Sequence, residues 1–202
     1  MAFACRHQPL ELPAALAAEL AAAYGEPHRA YHDASHIAEV LGWFDRVADD
    51  LGWQDPATVY VAIVFHDAIY APGATDNEAR SADWVRRSGL PCDLARAAAL
   101  VELTARHGHQ VTADRDAALF LDCDMAILGA SPAAFDAYDA AIAREYAAIP
   151  AEAFRAGRRN FLQGVLAMPR IFVSDYFHDQ LDAPARANLT RVVSHPRGAR
   201  LS

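Results

Sequence analysis

The chain has little cysteine, no long uncharged apolar run and no block of positive charge. Its three cysteines, Cys5, Cys92 and Cys123, are odd in number, and none belongs to a Cys-x-x-Cys pair. That argues against a disulfide framework or a cysteine-rich zinc site and fits reduced thiols in a cytoplasmic protein. No stretch approaches 18 apolar residues without a charge, so no membrane span is predicted. The N-terminus lacks a basic start ahead of an apolar core, and Glu11 and Glu19 interrupt its alanines, unlike a signal peptide. With a net charge of -8 and no basic run, a nucleic-acid polymer is not an expected partner, although a local basic pocket for a small anion remains compatible. Period-two alternation and fixed-length repeats are also missing, which removes the usual marks of sheets and solenoids.

What is present is a 202-residue chain that is 53% apolar, enough for one sizeable core. We expect a single domain over 1–194 and a flexible tail over 195–202, where Pro and Gly occur without a core pattern. Apolar residues recur at helical spacing. Leu12, Leu16 and Leu20 mark a helix over 10–24, and Ile37, Val40, Leu41, Phe44 and Val47 mark a second from Asp33 or Ser35 to about 51. The run 57–69 is rich in β-branched residues that suit a strand. It follows Asp55-Pro56, a helix-start signal, and is long for a strand, so a buried helix is predicted. Further helices are expected over 76–87, 91–106, 114–128, 131–149, 151–168 and 184–193. The fold class is all-α, a bundle of eight to ten helices.

Chemistry-bearing residues concentrate in three stretches beside apolar segments: Tyr31-His32-Asp33-Ala34-Ser35-His36, Phe65-His66-Asp67 and Leu121-Asp122-Cys123-Asp124. Polar groups are costly to bury unless they are hydrogen-bonded or coordinate a metal. His36, His66, Asp67 and Asp124 form a candidate ligand set of two imidazoles and two carboxylates. Such a set suits one divalent ion, with Zn, Mn, Fe, Co, Ni and Mg not distinguished. Asp122 competes with Asp124, because residues two apart on a helix point in widely different directions.

The order His36, then His66-Asp67, then Asp124 resembles the HD-domain superfamily of metal-dependent phosphohydrolases. The chain is most similar to the small bacterial group of predicted HD phosphohydrolases, through Tyr31-His32-Asp33-Ala34-Ser35-His36-Ile37, Phe65-His66-Asp67-Ala68-Ile69-Tyr70, Asn77-Glu78-Ala79-Arg80-Ser81-Ala82 and 121–129. The stretches 158–168 and 185–189 also resemble this group. The resemblance implies an HD-type helical domain and favours Asp124 over Asp122, since Cys123-Asp124-Met125 is similar to the family's small-Asp-Leu signature. Tyr31 to His36 also resembles the first motif of cyclic-nucleotide phosphodiesterases, which implies metal binding by His36 and protonation of a leaving oxygen by His32. Those enzymes carry a further histidine three residues after the HD aspartate; here it is Tyr70, which leaves a second metal ion open.

The expected activity is hydrolysis of a phosphoester in a small nucleotide or related phosphorylated metabolite, through a metal-activated water. His32, Asp67 and Glu78 are the candidate catalytic residues: His32 as acid or as support for a ligand, Asp67 as ligand and orienter of water, Glu78 as a hydrogen-bond partner of that water. Arg80, Arg155, Arg158 and Arg159 are candidates for the phosphate, with Arg170, Arg186, His107 and His109 behind them. Two alternatives stand. One is a non-catalytic metal-containing sensing or interaction protein. The other is a di-iron-type oxygenase drawing extra ligands from Glu78 or His107. Self-association into a homo-oligomer is left open.

Overall fold

A computed structural model describes residues 3–105 and 112–194. Within them the chain is all-α. Nine helices, α1 (Ala14–Tyr24), α2 (Ala34–Asp50), α3 (Pro56–Phe65), α4 (Asn77–Arg87), α5 (Leu94–Thr104), α6 (Arg115–Met125), α7 (Pro132–Glu145), α8 (Ala151–Ala167) and α9 (Asp175–Ser194), are joined by short links. No strand occurs among the described residues, and no single helix there is long and apolar enough to cross a membrane. His107, His109 and the tail 195–202 lie outside the described residues.

The hub is α3. Every residue from Thr58 to Phe65 is buried, and α2, α4, α5 and α6 pack around it. Its β-branched residues adopt helix because the start is specified twice: the Asp55 carboxylate accepts from the Thr58 N–H, and Pro56 fits the first turn without losing a bond. Burial then outweighs propensity, since each buried Val, Ile or Phe contributes about 1.5–3 kcal/mol against a few tenths for propensity.

Several expected boundaries move. The first helix begins at Ala14 because Pro13 sits in extended backbone ahead of it, and a residue before proline disfavours helix. Pro91 does not open α5; Asp93 does, accepting from the Arg96 N–H. α6 tightens after Met125 into a 3-10 turn, Ala126–Gly129. A Cβ on Gly129 would lie 2.7 Å from that of Leu181, so this turn meets α9 where only glycine fits. The expected helix over 131–149 ends at Glu145. The last helix starts at Asp175, nine residues before Pro184, which lies in its interior. Ser174 sets this start: its hydroxyl accepts from the Phe177 N–H, and Asp122 holds Ser174 in turn.

Candidate metal centre

Three helix ends bring the site together. Asp33 caps α2, its carboxylate accepting from the Ser35 N–H at 2.8 Å. His36 therefore falls in the first turn, pointing inward beside buried Ile37. His66 and Asp67 follow the last residue of α3, where the chain is turning and neighbouring side chains can converge. Asp124 stands in the last turn of α6.

The donor atoms meet. His36 Nε2 and His66 Nε2 are 3.1 Å apart. Asp67 Oδ2 is 3.0 Å from the His66 nitrogen and 3.5 Å from that of His36. Asp124 Oδ1 is 3.0 Å from the His36 nitrogen and 3.4 Å from that of His66. Both imidazoles are buried, while the carboxylates keep 18% and 14% of their side-chain surface exposed, enough for an opening on one side. Ligands about 2.1 Å from an ion, at tetrahedral or octahedral angles, stand roughly 3.0–3.4 Å apart. His66 Nδ1 lies 2.8 Å from the Ile63 carbonyl, which can only accept, so Nδ1 carries a proton and Nε2 is the nitrogen directed at the converging groups. His36, His66 and Asp67 thus form a site for a single metal ion.

The electrostatics agree. Burial opposes a charge on His66, but the adjacent Asp67 and Asp124 outweigh it and raise its pKa well above the ordinary imidazole value. Burial likewise works against the Asp67 carboxylate, yet His66, His32 and His36 hold its pKa well below the usual range. Two carboxylates directed at one point favour positive charge there.

A second cluster adjoins this one. His32 Nδ1 donates to Glu145 Oε2 at 2.7 Å. The Tyr70 hydroxyl donates to the same oxygen at 2.8 Å, and the Tyr70 ring stacks on His32 with centroids 4.2 Å apart. Glu145 Oε1 accepts from the backbone N–H groups of Ala30, Tyr31 and His32 at 2.8–2.9 Å. Burial raises the Glu145 pKa, but the bonds from His32, Tyr31 and Ala30 overcome it and hold it down at about 2. Buried Arg29 ties the two site loops from below, donating to the carbonyls of His32, Asp67 and Ala68 at 2.7–3.1 Å. Both Glu145 and Arg29 escape the sequence reading. The trace of Glu145 is an acid in the last turn of a helix, against the dipole; a lone arginine in a connector leaves none.

The chain matches no family model, no curated protein and no solved structure. Geometry therefore carries the assignment: an all-α protein with a His36/His66/Asp67 metal-binding triad.

Asp67 of the triad, with Asp124, lines a cavity of about 530 Å³. His32, Asp67, Asp124 and Glu78 line its inner end. Asp122 points elsewhere: its carboxylate accepts from the Val173 and Ser174 N–H groups and the Ser174 hydroxyl at 2.6–2.7 Å. Burial pushes the Asp122 carboxyl up to about 6 despite those bonds.

Of the four candidate phosphate-binding arginines, Arg158 lines the cavity. Its Nε donates to Asp139 at 3.0 Å, its guanidinium lies over Tyr138 at 4.9 Å, and one terminal nitrogen is buried without a hydrogen-bond partner. Arg155 and Arg159 do not line the cavity; together with Arg158 they border an outer groove alongside Val192 and Val193. Arg80 lies in a separate surface hollow with Asp83, Trp84 and Arg87.

Proposed function

We propose that this protein is an HD-type metal-dependent phosphohydrolase that cleaves a phosphoester of a small phosphorylated metabolite. The observation carrying this reading is the convergence of His36, His66 and Asp67, with Asp124 beside them, at the inner end of a cavity that also holds His32. A divalent ion supplies Lewis acidity and lowers the pKa of water.

The residues divide the remaining work. His36, His66, Asp67 and Asp124 hold the ion. His32 is the acid: Nδ1 is committed to Glu145, which leaves Nε2 as the ring nitrogen available to a departing oxygen. Burial lowers the His32 pKa, but Asp67 and Glu145 outweigh it and raise it, the direction a proton donor needs. Glu78, half-buried in the first turn of α4, lines the same cavity and orients the water. Arg158, which lines the same cavity, is the arginine placed to receive the phosphate; a guanidinium fork suits phosphoryl oxygens.

The test combines metal analysis with turnover. Protein never exposed to chelator is expected to carry a divalent transition metal and to hydrolyse members of a phosphoester panel, and Asp67→Ala is expected to lose both. His32→Ala keeps its metal and loses about 10²–10⁴-fold in rate, most on poor leaving groups. Full metal occupancy in Asp67→Ala removes Asp67 from the ligand set. A metal-loaded protein inert to every phosphoester overturns the activity.

A further inference from the structure

The outer half of the cavity is unlike its inner end. Ala153, Phe154, Gly157, Arg158 and Phe161 of α8 line it. At about 100° per residue these five positions span roughly 140° of the helix, a single face. Along 151–161 that face is not consumed by the core, since the buried residues of α8, Leu162 and Val165, both come later in the helix. Opposite it stand Ile142, Tyr146 and Ile149, on α7 and the link that follows. Ile149 and Phe161, each 40% exposed, are two of the three large apolar side chains left in water among the described residues, and both line this cavity. Exposed apolar surface gathered in a concavity, rather than scattered, marks a binding site.

We infer that the outer cavity receives an apolar group, and that the substrate is a phosphoester whose leaving alcohol carries an alkyl or aryl chain rather than a sugar or nucleoside. The inference rests on the phosphohydrolase reading of the inner end. A nucleobase or sugar presents many donors and acceptors that must be matched when buried. Beyond Arg158 and the Tyr146 hydroxyl, the outer wall offers Phe154, Phe161, Ile142 and Ile149, which match none. Gly157 keeps the wall low: it lines the cavity, and a Cβ built there meets nothing within 4 Å, so a larger side chain has room to stand there. Gly157 is the position where added bulk changes the preference for chain length.

The probe is a series of n-alkylphosphonates, ethyl to octyl, with the matching alcohols, titrated calorimetrically into manganese-loaded protein. Affinity for the phosphonates is expected to rise about threefold to fourfold per methylene until the cavity is filled, and to exceed that of each alcohol. In Gly157→Phe the rise with chain length collapses. Phe161→Ser, at an exposed position the fold tolerates, reduces the slope. The readout is the ratio of long-chain to short-chain affinity, which a general loss of binding does not imitate. Phosphonates that bind without chain-length dependence overturn the inference and leave the phosphohydrolase reading standing. Alcohols that bind as tightly as phosphonates, with the same dependence, keep the apolar cavity and overturn the phosphohydrolase reading. Absence of binding by the whole series overturns the inference.

Discussion

Two histidine–carboxylate clusters lie side by side in this molecule, and the same residue types do opposite things in them. Around Glu145 donors balance acceptors: three backbone N–H groups, the His32 ring and the Tyr70 hydroxyl account for both carboxylate oxygens. Around His66 two imidazole nitrogens converge with two carboxylates, each nitrogen within 3.5 Å of the other and of both carboxylate oxygens. The first cluster is complete within the chain and holds the loop 30–32 in place. The second brings ring nitrogens and a carboxylate to one point, the donor set of a metal site. The kind of partner, backbone N–H groups or converging ring nitrogens, separates a structural carboxylate from a metal ligand where residue identity does not.

The largest expected effect comes from emptying the closed cluster. Glu145→Ala strands three backbone donors and the His32 ring in a buried place, and breaking a buried pair in this way costs about 3–5 kcal/mol. Urea unfolding followed by helical circular dichroism measures it. If the two clusters are independent, a divalent ion at one hundred times its Kd adds about 2.7 kcal/mol to wild type and to Glu145→Ala alike. Loss of that increment in the variant shows that the loop carrying His32 also sets the aim of His36.

A gentler variant, Glu145→Gln, sharpens the contrast through pH. The Glu145 pKa is lowered from an ordinary 4.5 to about 2 in the folded protein. A depressed carboxyl contributes stability that is fully present above its unfolded pKa and lost as pH falls through the folded one. Wild type is therefore expected to lose stability between pH 4.5 and pH 2 through this group, and Glu145→Gln to show a shallower decline across that window. Parallel pH profiles remove Glu145 as the source.

Much of this arrangement was legible in the sequence, and the rest was not, for physical reasons. The helical class followed from spacing, and α3 was readable against its strand propensity because Asp55-Pro56 announces a helix start. His36, His66 and Asp67 were visible because each adjoins an apolar run, where an unpaired polar group is improbable on energetic grounds. Glu145 was not, because it bonds to backbone more than 110 residues away, and backbone partners leave no mark on side-chain pattern. Proline misled twice: Pro91 and Pro184 both read as helix starts, yet one precedes a helix capped by Asp93 and the other sits within α9. The arginines teach a related limit. Spacing groups Arg155 with Arg159 and equally with Arg158, but which of them turns toward the cavity depends on what α8 packs against.

The smallest expected effect lies at Tyr70, where the two clusters touch. Its hydroxyl bonds to Glu145, while its ring stacks on His32 and lies 5.5 Å from the Arg29 guanidinium. Tyr70→Phe removes the hydroxyl and keeps both ring contacts. Glu145 Oε2 still accepts from His32, so the carboxylate is not left bare and the cost is that of one hydrogen bond, about 1 kcal/mol. Metal content and its stabilising increment are expected to be unchanged, because Tyr70 is not among the converging donors. Had a histidine stood here, as the phosphodiesterase resemblance would have it, it would have added a ring nitrogen to the converging side. Tyrosine adds a proton to the balanced side instead. Tyr70→His is the converse experiment: binding of a second equivalent of metal in that variant would place position 70 within reach of the centre, and unchanged stoichiometry with a loss similar to that of Tyr70→Phe would assign the residue to the closed cluster alone.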